Sequence, residues 1–220
     1  MMPDQLWGQL LDLASGLFLL TAVGVLWRRQ VTALITMLTV QGLALTAIAA
    51  VLAAAHHSSE AAGIAIGVGI LKAGVIPWML RRVHQLVPDA RETRPLVNVS
   101  ASLLASAGLT LLAYAAARPL VLVASSPSAH AIPVGIAVVL LGFFLAATRQ
   151  RAISQIIGVL LIDNGIAAVA FLASGGIPLV VELGVSADLA LAVLVLQILT
   201  SRLHATYGPT DLDELRELHD

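Results

Sequence analysis

Long runs of apolar residues, separated by short polar stretches, dominate the chain. Each run is about 20 residues long and ends at charged residues or at clusters of Gly, Pro and Ser. Because apolar positions are consecutive and do not alternate with period two, the runs predict membrane-spanning helices rather than barrel strands. The predicted fold class is all-α, a polytopic membrane protein with about seven transmembrane helices. The seven spans are Leu10–Trp27, Val31–Ala53, Ala61–Leu80, Val97–Ala115, Ala131–Ala147, Ala152–Ala173 and Ile177–Leu203.

The arginines distinguish the two sides of the predicted membrane. Lys and Arg in short loops remain on the cytoplasmic side. With the N-terminus outside, only Arg118 falls in an outer loop, whereas ten arginines fall in inner loops and the tail. We therefore expect an outer N-terminus and a cytoplasmic C-terminus. The ten are Arg28, Arg29, Arg81, Arg82, Arg91, Arg94, Arg149, Arg151, Arg202 and Arg216.

Two stretches about 120 residues apart are similar to each other and predict an internal repeat. "RRQVTALITMLTVQG" starts at Arg28 and "RQRAISQIIGVLLIDNG" at Arg149; both begin with arginines and end in a polar residue followed by glycine. The repeat implies two three-helix units of the same orientation, joined through the fourth helix. The expected organisation is an N-terminal unit over 1–95, the fourth helix and linker over 96–130, a C-terminal unit over 131–204 and an acidic cytoplasmic tail over 205–220.

Composition supports a membrane protein and excludes several functions. The chain is 59% hydrophobic and 11% charged, against about 25% charged in soluble domains. It contains no cysteine, so it cannot offer thiolates to an iron–sulfur or nickel centre, and we expect no cofactor on this chain. The net charge is −1 and there is no polybasic tract, which gives nucleic-acid binding no support.

A few polar side chains interrupt the spans near the predicted middle of the membrane. At 1.5 Å per helical residue, counting from the nearest cytoplasmic arginine places four of them roughly 13 to 21 Å deep. Charged groups near the bilayer centre cost about 2.5 to 3.5 kcal/mol each, so they are rare unless paired or functional. The sequence predicts a polar row at mid-membrane, formed by Gln41, Lys72, Asp163 and Asp188.

A carboxyl group and an amine together in a nonpolar environment are suited to proton transfer. Burial favours the neutral form of a carboxyl group, and a nearby ammonium favours the charged form, so such a pair exchanges protons readily. Glu182 lies closer to the outer interface and is predicted to serve an outer exit. Pro77 is expected to kink the third helix one turn beyond Lys72.

Structural readings compete with this proton relay. Gln41 and its neighbours Thr32, Thr36 and Thr39 could only join helices by hydrogen bonds. Lys72 could extend its ammonium toward the inner interface.

The motifs "AISQIIGVLLIDNG", "GIPLVVELGVSADLALAVLVLQI", "DLDELREL" and "LKAGVIPWMLRRV" resemble component E of hydrogenase-4 and related group 4 membrane-bound hydrogenases. The portion from Arg149 onward is also similar to the K subunit of respiratory complex I and the C subunit of multisubunit sodium/proton antiporters. These resemblances imply antiporter-like membrane subunits and peripheral redox subunits as partners, and nickel-iron or iron–sulfur centres only on those partners. They also imply a prokaryotic cytoplasmic (inner) membrane location.

In the K subunit, two membrane helices carry glutamates implicated in proton transfer. By resemblance, Asp163 takes the first acidic position, and either Glu182 or Asp188 takes the second. Asp163 is one methylene shorter than the glutamate of the relatives. In the N-terminal repeat, the corresponding place holds Gln41, which does not titrate.

The sequence thus predicts a non-catalytic membrane subunit of a complex I-like, hydrogenase-4-like oxidoreductase, which links membrane modules and moves protons or sodium ions. The residues expected to relay protons are Asp163, Asp188, Glu182 and Lys72, with Gln41 as a polar neighbour. A stand-alone secondary transporter and a purely structural membrane anchor are the alternatives.

Overall fold

The described part of the chain is a bundle of helices joined by short connections. The computed structural model describes residues 4–28, 30–86, 97–123, 127–150 and 152–174. Within these ranges the all-α prediction is confirmed, and six segments are long and apolar enough to cross a membrane. The predicted seventh span lies outside the described residues, so its existence, the orientation and the repeat stay predictions. The α-helices are α1 (Asp4–Trp27), α2 (Val31–Ala55), α3 (Ser59–Val68), α4 (Ile76–Leu86), α5 (Val99–Val123), α6 (Ile132–Thr148) and α7 (Ala152–Ser174).

Three predicted helix bounds were wrong because polar residues do not end these helices. The third span continues to Leu86 instead of ending at Leu80. Helix α1 begins at Asp4, six residues before the predicted start, since its polar first turns remain helical. Helix α5 continues to Val123 instead of ending at Ala115, with Pro119 inside it. Arg118 is therefore a helical residue and does not belong to a loop. Its exposed side chain is long enough to reach away from the apolar region.

A tight turn makes α2 and α3 antiparallel neighbours. After α2, the N–H of His57 donates to Ala54 O and that of Ser58 to Ala53 O, with His57 at φ 50°. Helices commonly end with this pair of hydrogen bonds and with one residue in the left-handed conformation, which is His57 here. The Ser58 hydroxyl then accepts from the N–H of Ala61 and caps the start of α3. One short turn thus satisfies the backbone groups at both helix ends.

The third span is one long helix with an irregular centre. A π-helical segment, Gly69–Val75, separates α3 from α4, and the N–H of Ile76 donates to Leu71 O, five residues earlier. The sequence placed the irregularity at Pro77, but the structure widens the helix in the turn that precedes the proline. Such single π turns are often associated with functional sites, and this one contains Lys72.

One contiguous apolar core connects α1, α2, α3, α4, α6 and α7. Helix α5 is peripheral, because the buried residues on it are all small: Ser102, Ser106, Ala113 and Ala117. Small residues on one face allow a helix to approach its neighbours closely without large side chains between them. The remaining surface of α5 carries exposed leucines such as Leu104 and Leu111, as expected for a helix that faces lipid.

Helices α6 and α7 form an antiparallel hairpin whose backbones touch at two levels. A Cβ added to Gly142 would lie 2.8 Å from Gly158 O, and one added to Gly165 would lie 2.8 Å from Gly135 O. The two glycines on each helix are seven residues apart, so both contacts recur on the same face. Only glycine fits at this separation, which fixes the position of α7 against α6.

Arg149 joins the end of α6 to the end of α1. Its Nη2 atom donates to Leu26 O at 3.1 Å and to Arg28 O at 3.0 Å. These carbonyls lie at the C-terminal end of α1, where backbone oxygens have no hydrogen-bond donors within the helix. The sequence analysis placed Arg149 in a cytoplasmic loop at the start of the second repeat motif, whereas the structure buries this residue to 6% exposure.

We predict that Gly158→Leu destabilises the bundle. The added side chain would meet Ala146 N at 2.7 Å at its first carbon atom, and overpacked cores lose about 1–3 kcal/mol. The measurement is the thermal midpoint of the purified protein in mild detergent. Gly108→Leu in α5 is the control, because nothing lies within 4 Å of a Cβ there. Equal midpoints for the two variants would contradict the close α6–α7 packing.

Candidate functional site

A lysine and an aspartate meet inside the bundle. Lys72 Nζ, in the π-helical segment, lies 2.9 Å from Asp163 Oδ2 in the middle of α7. The two side chains are 1% and 7% exposed. Residues 91 positions apart therefore form a buried ion pair that joins the third span to α7.

This pair is costly for a membrane protein to maintain. Removing both charges from water costs several kcal/mol per ion, and their attraction offsets this only when the geometry is good. A pair of apolar residues of similar volume would often be as stable or more stable. A charged pair kept within the spans is for this reason a candidate functional site.

The backbone contact between α2 and the π-helical segment sets the position of Lys72. A Cβ on Gly42 would lie 2.7 Å from Lys72 O and 2.8 Å from Lys72 C. Glycine at this position lets the two backbones touch, and the wider π turn carries the lysine side chain toward α7. No role for Gly42 was predicted from the sequence, although it follows Gln41 at the end of the repeated motif.

An amide pair lies beside the ion pair in sequence and joins α2 to α7. Asn164, next to Asp163, donates from Nδ2 to Gln41 Oε1 at 3.1 Å. Gln41 is fully buried, and its Nε2 has no hydrogen-bond partner among the described residues. An unsatisfied amide in a nonpolar interior costs about 1–3 kcal/mol, so a water molecule or a further polar group is needed there. Asn164 was missed by the sequence analysis, even though "DNG" places it beside the aspartate.

The structure brings together three of the four members of the predicted polar row: Gln41, Lys72 and Asp163. The fourth, Asp188, lies outside the described residues, as does Glu182. Lys72 does not extend to the interface, because Asp163 binds its ammonium inside the bundle. That alternative was wrong.

The threonines near Gln41 contribute less to helix association than the sequence suggested. Thr36 donates to Thr32 O at 2.9 Å and Thr39 to Ile35 O at 2.8 Å, both within α2. Among the described residues, Thr32 is the one of the three whose side chain hydrogen-bonds to another helix, at 3.4 Å from His84 Nε2 in α4. Hydrogen bonding between α2 and α7 in this region is therefore carried by Gln41.

Over the described ranges, no group of three or more His, Asp or Glu side chains is arranged to hold a metal ion. The polar cluster instead consists of one cation, one carboxylate and two amides. Groups of this kind bind and release protons or hold water, and they offer no set of ligands to a transition metal. The fold and this cluster define a multi-pass helical membrane protein with a buried ionisable pair.

Comparison with known proteins agrees with this class. The uncharacterized protein Rv0085 of Mycobacterium tuberculosis (strain ATCC 25618 / H37Rv) is 45% identical over 214 residues, which are 96% of each chain. The chain belongs to the same protein family as Rv0085. Hydrogenase-4 component E of Escherichia coli strain K12 is 24% identical over 204 residues, 93% of this chain and 94% of that protein. The same component of Shigella flexneri matches to the same extent.

No family model matches the chain, and no solved structure matches it significantly. The predicted resemblance to hydrogenase-4 component E is thus supported as a distant similarity over most of the length.

We predict that Asp163→Leu destabilises the protein by about 3–5 kcal/mol, because it leaves a buried ammonium without its carboxylate. The double variant Lys72→Met with Asp163→Leu should recover most of this loss, since both charges are removed together. The measurement is the thermal midpoint in detergent of the wild type, both single variants and the double variant. Additive losses in the double variant would show that the two side chains do not interact.

We also predict that Gly42→Ala shifts the π-helical segment and costs about 1–3 kcal/mol. The methyl group would overlap the backbone of Lys72, which must move relative to Asp163. Gly74→Ala in the same segment is the matched control, because nothing lies within 4 Å of its Cβ and alanine favours helices. Thermal midpoints should fall for the first variant and remain equal or rise for the second.

Proposed function

We propose that the chain is a membrane subunit of a complex I-like oxidoreductase of the hydrogenase-4 type, and that it takes part in proton translocation. The distant similarity to hydrogenase-4 component E supports membership in a multisubunit membrane complex. The observation that carries the proton role is the 2.9 Å contact between Lys72 and Asp163 inside the bundle.

The chemistry of the pair provides a simple transfer step. A proton that reaches Asp163 binds a carboxylate oxygen and neutralises it, which removes the attraction that holds the Lys72 ammonium. The ammonium then no longer has the negative charge of Asp163 beside it and can pass its proton to the next acceptor. The cycle closes when Lys72, now neutral, accepts the proton of Asp163, which restores the ammonium and the carboxylate. One proton enters and one leaves per cycle.

In the ion pair the Asp163 carboxylate can accept a proton, whereas the Lys72 ammonium has no free lone pair to accept one. We therefore assign proton entry to Asp163. Gln41 and Asn164 adjoin the pair, and a water held at Gln41 Nε2 would extend the polar cluster toward α2.

The second acidic position stays open between Glu182 and Asp188, which both lie outside the described residues. Asp188 was predicted at the same depth as Asp163, and Glu182 nearer the outer interface. On this proposal Asp188 continues the relay and Glu182 serves its outer exit. Sodium is the alternative ion, and the variants below apply to either.

Redox chemistry belongs to the partners in this proposal. The chain has no cysteine, so nickel-iron or iron–sulfur centres would reside on peripheral subunits. Antiporter-like subunits are the proposed neighbours in the membrane, and the chain would link these modules in a prokaryotic inner membrane. The chain itself would not be an enzyme.

A structural anchor is the main rival, because the Lys72–Asp163 and Gln41–Asn164 contacts also join helices. The two functions differ in what they need from the pair. An anchor needs only packing, which apolar residues supply equally well. A relay needs groups that bind and release protons.

We predict that Asp163→Asn leaves the complex assembled and turning over but lowers its proton pumping severalfold, since the amide cannot carry the proton. The test is the number of protons moved per electron by the intact complex in liposomes, with the electron donor that sustains the native turnover. Asp12→Asn is the matched control: this aspartate lies on the exposed surface of α1, away from the pair.

The double variant Lys72→Met with Asp163→Leu separates relay from anchor. The relay predicts an assembled complex whose redox turnover is uncoupled from pumping. Full pumping in this variant would establish the anchor instead. Ion transport by the purified chain alone in liposomes would favour a stand-alone transporter.

A further inference from the structure

A cleft lies between α5 and the short 3₁₀-helix, Pro127–Ala131, that leads into α6. Its volume is about 570 Å³, within the range of small-ligand sites. Apolar side chains form most of the wall, among them Leu111, Val121, Leu122 and Pro133. Arg118 and His130 also line it. The cleft is thus apolar along its length and basic at one place.

The hydrogen bonds of His130 indicate that its ring is positively charged. Nδ1 lies 2.9 Å from Pro127 O, and Nε2 lies 2.9 Å from Asp12 Oδ1. A carbonyl oxygen and a carboxylate oxygen both accept, so these two contacts favour the imidazolium form, in which both ring nitrogens donate. In this form the ring adds a positive charge to the cleft. The Asp12 carboxylate on α1 lies beside Nε2 of the ring.

Arg118 adds a second positive charge. Its side chain is exposed, and it forms no ion pair with any residue in the part of the chain that is described. It lies five residues before the end of α5 at Val123, about 7–8 Å along the helix axis. At that depth the guanidinium can reach the level of lipid headgroups, while Leu111, two turns further in, stays at the level of acyl chains.

We propose that this cleft binds one anionic phospholipid, with its phosphate at Arg118 and an acyl chain directed toward Leu111. A phosphate accepts two parallel hydrogen bonds from a guanidinium, which suits Arg118 better than any neutral headgroup. Two cations against one carboxylate leave a net positive charge, which favours an anionic headgroup over a neutral one.

The proposal is independent of proton translocation, because the residues that line the cleft include neither Lys72 nor Asp163. It concerns instead how the peripheral helix α5 is held against the bundle. The fully buried residues of α5 are all small, and a lipid in the cleft would add contacts between α5 and the start of α6.

Photocrosslinking in native membranes tests the site. The photoreactive residue p-benzoylphenylalanine replaces Leu122, which lines the cleft and is 85% exposed. We expect adducts in which anionic phospholipid is enriched severalfold over its share of the membrane, as identified by mass spectrometry. Leu120 is the matched control: it is exposed at the same level of α5 and does not line the cleft, so its adducts should follow bulk composition.

A second change identifies the group responsible. Arg118→Gln, combined with the probe at 122, should reduce the enrichment to the level found at 120, whereas Arg118→Lys should retain most of it. An adduct with another polypeptide, or with another segment of this chain, would overturn the proposal. So would lipid adducts without headgroup preference, or a preference that Arg118→Gln leaves unchanged.

Discussion

The buried contact between Lys72 and Asp163 constrains the arrangement of the bundle more than any other single interaction. Each charge alone would be expelled from a nonpolar interior, so the third span and α7 must stay together for either residue to remain buried. The surrounding features serve this contact. The π-helical turn carries Lys72, Gly42 allows the backbone of α2 to touch it, and Asn164 joins the residue after Asp163 to Gln41.

Two kinds of helix packing support this centre. Helices α6 and α7 touch at glycines, which leaves little freedom for α7 to slide or rotate. Arg149 fixes the other end of α6 to the end of α1 through two backbone carbonyls. In contrast, α5 buries only small side chains and lies at the edge of the bundle. The rigid elements are thus those that hold the polar cluster, and the loosely packed element borders the basic cleft.

Membership in the family of Rv0085 says what the chain is related to, and the distant similarity to hydrogenase-4 component E suggests the kind of assembly in which it acts. Function at the level of residues depends on the cluster itself. Apolar side chains could replace an ion pair in a membrane interior without loss of stability. Under the proposed function the pair is kept because it can bind and release protons.

Much of this architecture was determined by the sequence alone. In a bilayer the backbone must satisfy its own hydrogen bonds, so runs of about 20 apolar residues can only be helices. The few polar residues within these runs are therefore easily recognised as candidate site residues. Depth along a helix follows from counting residues, which is why Gln41, Lys72 and Asp163 could be placed at one level. Helix ends were less predictable, because α1 and α5 continue through polar residues that the interface tolerates.

Only the tertiary structure decided which of these residues meet. Rotation about the helix axis depends on packing between backbones, such as the contacts of Gly42, Gly142 and Gly165, and no count along the chain contains it. The π turn adds an extra rotation of the helix about its axis. The sequence predicted the irregularity of this helix at Pro77, not in the turn before it. The fold therefore decided three contacts, because each joins residues at least 91 positions apart. These contacts are Asp163 with Lys72, Asn164 with Gln41, and Arg149 with the end of α1.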